Sequence, residues 1–244
     1  MAAPGVRSRH LPRRKLAFLA LALSVTAATP APSPSLDTLL APPPAGYVED
    51  TESTGQPIGA FDARSYATYL GSDDPSPRLT ELARDGFVKG YGKSWSDQGT
   101  SRGLAEFVVA FSGGAGARRW LASTEVADKR DDLYKGPIAV SGLGTGFGVR
   151  YVDDANHGEA DVVSFVKGND YFLVGFVSAG EDLSEPAIVQ ARTQFAFAPV
   201  ESIPSAQWPE NTRSFPFLPV FAMFFAAAVA ITIVAVLRRP RPAS

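Results

Sequence analysis

The chain has 244 residues, 45% hydrophobic and 20% charged, with a formal net charge of -2. That balance excludes a wholly disordered protein and suits one ordinary domain with appendages. The absence of cysteine excludes disulfides, thiolate metal sites, a cysteine nucleophile and a lipidated-cysteine anchor. Residues 16–237 hold 15 basic and all 25 acidic residues, a net of -10. Phosphate backbones need clustered Lys and Arg, so no nucleic-acid partner is expected.

Arg7, Arg9, Arg13, Arg14 and Lys15 precede a thirteen-residue apolar run, LAFLALALSVTAA, that ends in small residues. A basic head, a short apolar run and a small-residue exit predict a secretory signal peptide over residues 1–28. The run falls short of the ~20 residues that a membrane span requires. Residues 29–46, TPAPSPSLDTLLAPPPAG, are Pro- and Ala-rich and read as an extended linker.

An exterior domain is expected over residues 47–199. Asp62 can cap a short helix through Leu70. Ser76-Pro77 opens a second helix that Gly86 ends, with proline in the first turn and glycine just past the last. Residues 87–96 and 103–111 read as strands joined by the polar turn DQGTSR. Residues 112–131 read as a helix presenting Ala115, Trp120, Leu121 and Val126 to the core, with Ser112 as its cap. Strands follow at 147–152, 161–167 and 171–178, the last two joined by a tight turn at Gly168-Asn169. Asp182-Leu183-Ser184-Glu185 has capping-box spacing and opens a final helix through Phe197. The order α-α-β-β-α-β-β-β-α predicts an α+β domain, an antiparallel sheet of about five strands with packed helices.

Residues 200–214, VESIPSAQWPENTRS, read as a stalk. Residues 215–237, FPFLPVFAMFFAAAVAITIVAVL, contain no charge and are long enough, at roughly 34 Å as a helix, to span a bilayer. Pro216 and Pro219 fall where missing amide protons cost least. Arg238, Arg239 and Arg241 make 238–244 a basic tail that favours the cytoplasm, with the domain outside. A lipid bilayer is therefore an expected partner, through 215–237. A glycolipid-anchor signal would not end in arginines, and the nearest match to a cell-wall sorting pentapeptide, residues 218–222, lies inside the apolar run.

The Pro-rich lead-in, the helix pair, the GYGKSW hairpin and the VVAF-SGGAGARRWL strand-to-helix step resemble domains of uncharacterised actinobacterial cell-envelope proteins. The arginine bias, 17 Arg to 6 Lys, fits a GC-rich genome of that kind. Over roughly residues 45–199 the layout also resembles the PsbP-like fold of LpqN-type mycobacterial lipoproteins, though those use a lipidated cysteine that this chain lacks. The resemblance implies an envelope binding or adaptor role.

Candidate chemistry is sparse. Gly86–Ser94 superficially resembles a phosphate loop, but Phe87 stands where the first glycine is required and the stretch reads as a strand. Gly113, Gly114 and Gly116 fail the dinucleotide fingerprint at Arg118. Gly142, Gly144, Gly146 and Gly148 suggest a flexible turn and a closely approached strand, or a ligand cradle. Asp153, Asp154, Asn156, Glu159 and Asp161 crowd around His157; oxygen ligands could hold calcium, yet the EF-hand register fails, and a solvated hairpin tip is expected. Trp95, Trp120, Tyr91 and Tyr151 read as core or sheet-face aromatics. No catalytic, cofactor-binding or metal residue is assigned, no cofactor is expected, and the chain is expected not to be an enzyme. The expected partner is a protein or envelope ligand; the alternative is a carboxylate-dependent envelope hydrolase.

Overall fold

The structure is a computed structural model describing residues 34–51, 57–70, 74–97 and 99–211. In chain order its elements are Tyr47–Glu49 (β1), Gly59–Phe61 (β2), Ala63–Tyr69 (α1), Ser76–Asp85 (α2), Phe87–Asp97 (β3), Arg102–Phe111 (β4), Gly114–Asp128 (α3), Tyr134–Ile138 (β5), Thr145–Asp153 (β6), Gly158–Lys167 (β7), Asp170–Ser178 (β8) and Ser184–Phe197 (α4). The strands form one antiparallel sheet in the order β1-β3-β4-β8-β7-β6-β5, with β2 also pairing β3.

Side chains alternate across this sheet and divide the core in two. Leu104, Val108 and Ala110 of β4 join Phe165, Phe172 and α4 on one face. Phe107, Val109 and Phe111 join Tyr66, Leu82 and Trp120 of α1, α2 and α3 on the other. The domain is thus α+β in three layers, with helices on both faces of the sheet. Strands β3, β4, β8, β7 and β6 match the expectation.

Three strands exceed it. β1 and β2 are three residues each, laid on the outer edge of β3, too short to show alternation. β5 contains Gly136 and Pro137, which read as breakers but are tolerated on an edge strand.

The caps of the first two helices follow the sequence. Asp62 accepts the Ser65 amide at 2.8 Å, and Gly86 ends α2 in the left-handed conformation, φ 81°. The later two differ. Helix α3 buries Gly116, Ala117, Trp120, Leu121 and Thr124, while Val126 is 49% exposed. Helix α4 starts one residue later than the capping box implied: Asp182 accepts both the amide and the hydroxyl of Ser184, and Leu183 is the cap residue.

Neither flank is a free tether over its described part. In the expected linker, Leu36, Leu39, Leu40 and Ala41 are buried against the α4 face. Gln194 of α4 donates to the Leu39 carbonyl at 2.7 Å and accepts the Ala41 amide at 2.6 Å. In the expected stalk, Ser202 is buried and bonded to Asn169 and Asp170. The domain therefore extends beyond 47–199 at both ends. Among the described residues no helix is long and apolar enough to cross a membrane. The expected signal peptide at 1–28, the expected span at 215–237 and the expected tail at 238–244 lie outside the described residues.

Candidate functional site

Short β2 and the Leu36–Leu39 turn leave the first residues of β3 uncovered. An open groove of about 730 Å³ results, lined by Ser35, Asp37, Phe61, Val88, Lys89 and Tyr91 among others. Its volume is within the range of small-ligand sites. Its walls combine apolar surface with the Lys89 ammonium, the Asp37 carboxylate and hydroxyls. Asp62 also lines it, but the bonds from the Ser65 amide and hydroxyl hold that carboxyl below the usual range, so it acts as a helix cap. The groove can bind; it shows no paired acid and base.

The perturbed carboxyls lie elsewhere. Glu106 of β4 is fully buried. Its Oε1 accepts from Gln190 at 2.8 Å, and Oε2 has no partner among the described residues. Burial pushes its pKa up to about 8, against the bond from Gln190 and the field of Lys93. Asp170 is raised to about 7 by burial, opposed by the hydroxyl and amide of Ser202. Asp128 is raised to about 6, again by burial, opposed by the Tyr151 hydroxyl. None of the three lines the groove; each serves packing between elements.

The glycine motifs are packing devices. A Cβ at Gly90 would lie 1.9 Å from the Phe61 ring, so the stretch resembling a phosphate loop admits β2 instead. A Cβ at Gly116 would lie 1.9 Å from the Asp85 carbonyl, which lets α2 and α3 meet. Ser112 does not cap α3. The orphan Ala115 amide is taken by Glu210 at 2.9 Å, which lowers that carboxyl's pKa. Gly142 and Gly144 have positive φ and open surroundings, whereas Gly146 and Gly148 are closely approached strand positions.

The acidic loop does not converge. Asp153 turns inward on its own hairpin, accepting from Ala155 and Asn156. Asp161 is buried in the sheet, bound to Arg150 at 2.9 Å and to the Leu183 amide at 2.7 Å. Among the described residues no group of three or more His, Asp or Glu is placed to hold a metal ion. Trp95 and Trp120 are buried, and Tyr91 and Tyr151 half-buried.

Sequence reasoning missed the groove, because its walls come from three separate stretches, residues 35–37, 60–65 and 88–91. It also missed Glu106, whose signal was present: one acid inside the apolar run GLAEFVVAF.

These features define a three-layer α+β domain with an open groove of mixed polarity at one end of its sheet. No family model matches the chain, and no curated protein matches it. A solved structure similar to it is the extracellular domain of PknH from Mycobacterium tuberculosis, at 15% identity and a TM-score of 0.41, covering 69% of this chain and 98% of that one.

Proposed function

We propose that the chain is a single-pass, membrane-anchored exterior domain that binds a protein or cell-envelope ligand and catalyses no reaction. The observation that carries this reading is the separation of reactivity from access: of the groove's carboxyls, Asp62 is held below its usual range as a helix cap, while Glu106 and Asp170, raised by burial, lie buried outside the groove. The carboxylate-dependent alternative would need two carboxyl groups, one acid and one base or nucleophile, flanking one glycosidic bond. The sequence supplies the anchoring, through the signal pattern at 1–28 and the apolar run at 215–237.

The test places a photo-crosslinking residue at Lys89 or Tyr91 in the full chain on intact cells, with Val126 as the control position. A discrete adduct from the groove positions, absent at Val126 and lost on Tyr91→Ala when the crosslinker is at Lys89, supports binding. Identical adducts at all positions refute it. Hydrolysis of envelope glycan by the purified chain, abolished by Asp37→Asn, would favour the hydrolase.

A further inference from the structure

The segment expected to be a stalk is a docked strap over its described residues. The strap is fixed at several points. Ser202 and Ile203 donate their amides to Asn169. Trp208 donates its indole N–H to the Ile203 carbonyl. Glu210 accepts the Ala115 amide. After Asn211 only residues 212–214 precede Phe215, and that length of chain reaches at most ~14 Å.

Strand register places this end. Phe87 faces Phe111, Ala110 faces Asp170, and Lys167 faces Asp170 across the β7–β8 turn. The C-terminus of α4 joins them, since Lys167 donates to the carbonyls of Phe195 and Ala198. Val88, Phe197 and Val200 are exposed here, at 47%, 51% and 74%. So are Arg84, Lys89, Arg118 and Arg119, while Asp85, which pairs with two of those arginines, has a fully buried side chain.

The opposite end differs in charge. The β6–β7 turn with Asp153 and Asp154, the segment with Glu181 and Asp182, and the end of α3 with Asp131 and Asp132 all lie there. Glu201 and Glu210 of the strap, Asp85, and Asp37 and Asp62 in the groove beside Lys89 offset these cations, so the strap end is near balance, whereas the far end, where Arg102 and Arg150 pair with Glu181 and Asp182, keeps an excess of acids.

We propose that the strap end rests on the outer leaflet of the membrane that holds the chain, with Phe197 and Val200 in the interface and Arg118 and Lys89 against anionic phospholipid headgroups. This rests on the membrane-anchored reading above. The short tether limits the distance and thereby selects the end, and charge agrees: an anionic surface repels the acids of the far end, while exposed Arg118 and Lys89 can meet headgroups. Exposed apolar side chains beside basic ones suit the headgroup boundary.

The absence of cysteine makes the test clean. Single cysteines at Phe197 and Val200, with Val126 and Val177 as exposed control positions, carry an environment-sensitive fluorophore in the full chain. The chain is reconstituted in phosphatidylglycerol–phosphatidylcholine vesicles containing a lipid nitroxide near the headgroup. The proposal expects blue-shifted, strongly quenched emission at 197 and 200 and unquenched emission at 126 and 177. The Arg118→Glu, Lys89→Glu double variant should relieve the quenching, as should high salt. A label at 200 that stays unquenched in a chain resisting carbonate extraction overturns the inference while sparing the anchor. Equal quenching at all four positions overturns it also. A chain stripped from the vesicles by carbonate overturns the anchored reading, and this one with it.

Discussion

Replacing Glu106 with glutamine should reverse part of the domain's pH dependence. In the unfolded chain this carboxyl ionises near its usual 4.5; in the folded domain, fully buried with Oε2 unpartnered, it ionises only near 8. Between those values the unfolded state binds fewer protons than the folded one. Stability therefore falls as pH rises, by up to ~1.4 kcal/mol per pH unit. The penalty is absent below pH 4.5 and complete above pH 8. Across the window this amounts to about 3–5 kcal/mol, and for a domain of this size roughly 10 °C in melting temperature. Glutamine keeps the oxygen that accepts from Gln190 and cannot ionise. Its buried amide nitrogen lacks a ready partner, a cost of about 1–3 kcal/mol at all pH values. The two stability curves should therefore cross, with wild type equal or ahead at pH 5 and Glu106→Gln ahead at pH 9. The assay is thermal unfolding of the full chain in lipid nanodiscs, followed by tryptophan fluorescence. All three tryptophans, Trp95, Trp120 and Trp208, lie in the described domain. Parallel curves from pH 5 to pH 9 would refute the reasoning, since they would mean that Glu106 is already solvated or charge-compensated in the folded state.

Glu210→Ala should remove the acceptor from the start of α3, costing ~1 kcal/mol, and should speed proteolytic cleavage within residues 200–211; unchanged cleavage kinetics would show that the strap is held without it. Gly116→Ala should unfold the domain or cost several kcal/mol, because its methyl meets the Asp85 carbonyl. Gly142→Ala, at φ 84° in open space, should cost only ~1 kcal/mol of backbone strain; comparing the two melting temperatures checks both. Calcium should leave the melting temperature unmoved. Asp161→Asn should lower it with or without calcium, a loss of about 1–3 kcal/mol in stability, because Arg150 loses its buried carboxylate partner but keeps Asp182 and Glu159; a calcium-dependent rise lost in Asp154→Asn would make the turn a metal site.

The parts of the fold legible in the sequence are those whose causes are local. Asp62 caps α1 through a residue three positions on, Gly86 ends α2 through its own dihedral angle, and Gly168 turns the β7–β8 hairpin at φ 63°. The central strands announce themselves by apolar alternation or continuous apolar runs. What escaped was held from afar. β1 and β2 exist because β3 offers an edge. Gly113, Gly114 and Gly116 fail as a dinucleotide turn, yet they make room for Glu210, Trp208 and the Asp85 carbonyl. The groove needs segments from residues 35 to 91 folded together before it exists.

The two flanks show why composition misleads here. Proline, alanine and serine point to a solvated tether, because proline lacks an amide proton and favours extended backbone. An extended segment can dock as well as float, provided its carbonyls and remaining amides find side-chain partners. Gln194 supplies both to residues 39 and 41, and Asn169 with Asp170 supplies acceptors to Ser202 and Ile203. The discriminating signal lay inside the Pro-rich stretch. Leu36, Leu39 and Leu40 recur at i, i+3 and i+4, the spacing of one buried face, and a tether left in water has no use for three leucines on one side. The strap carries a weaker form of the same mark in Ile203 and Trp208, half-buried against the domain. Apolar spacing within a flank, not its proline content, separates a docked segment from a free one.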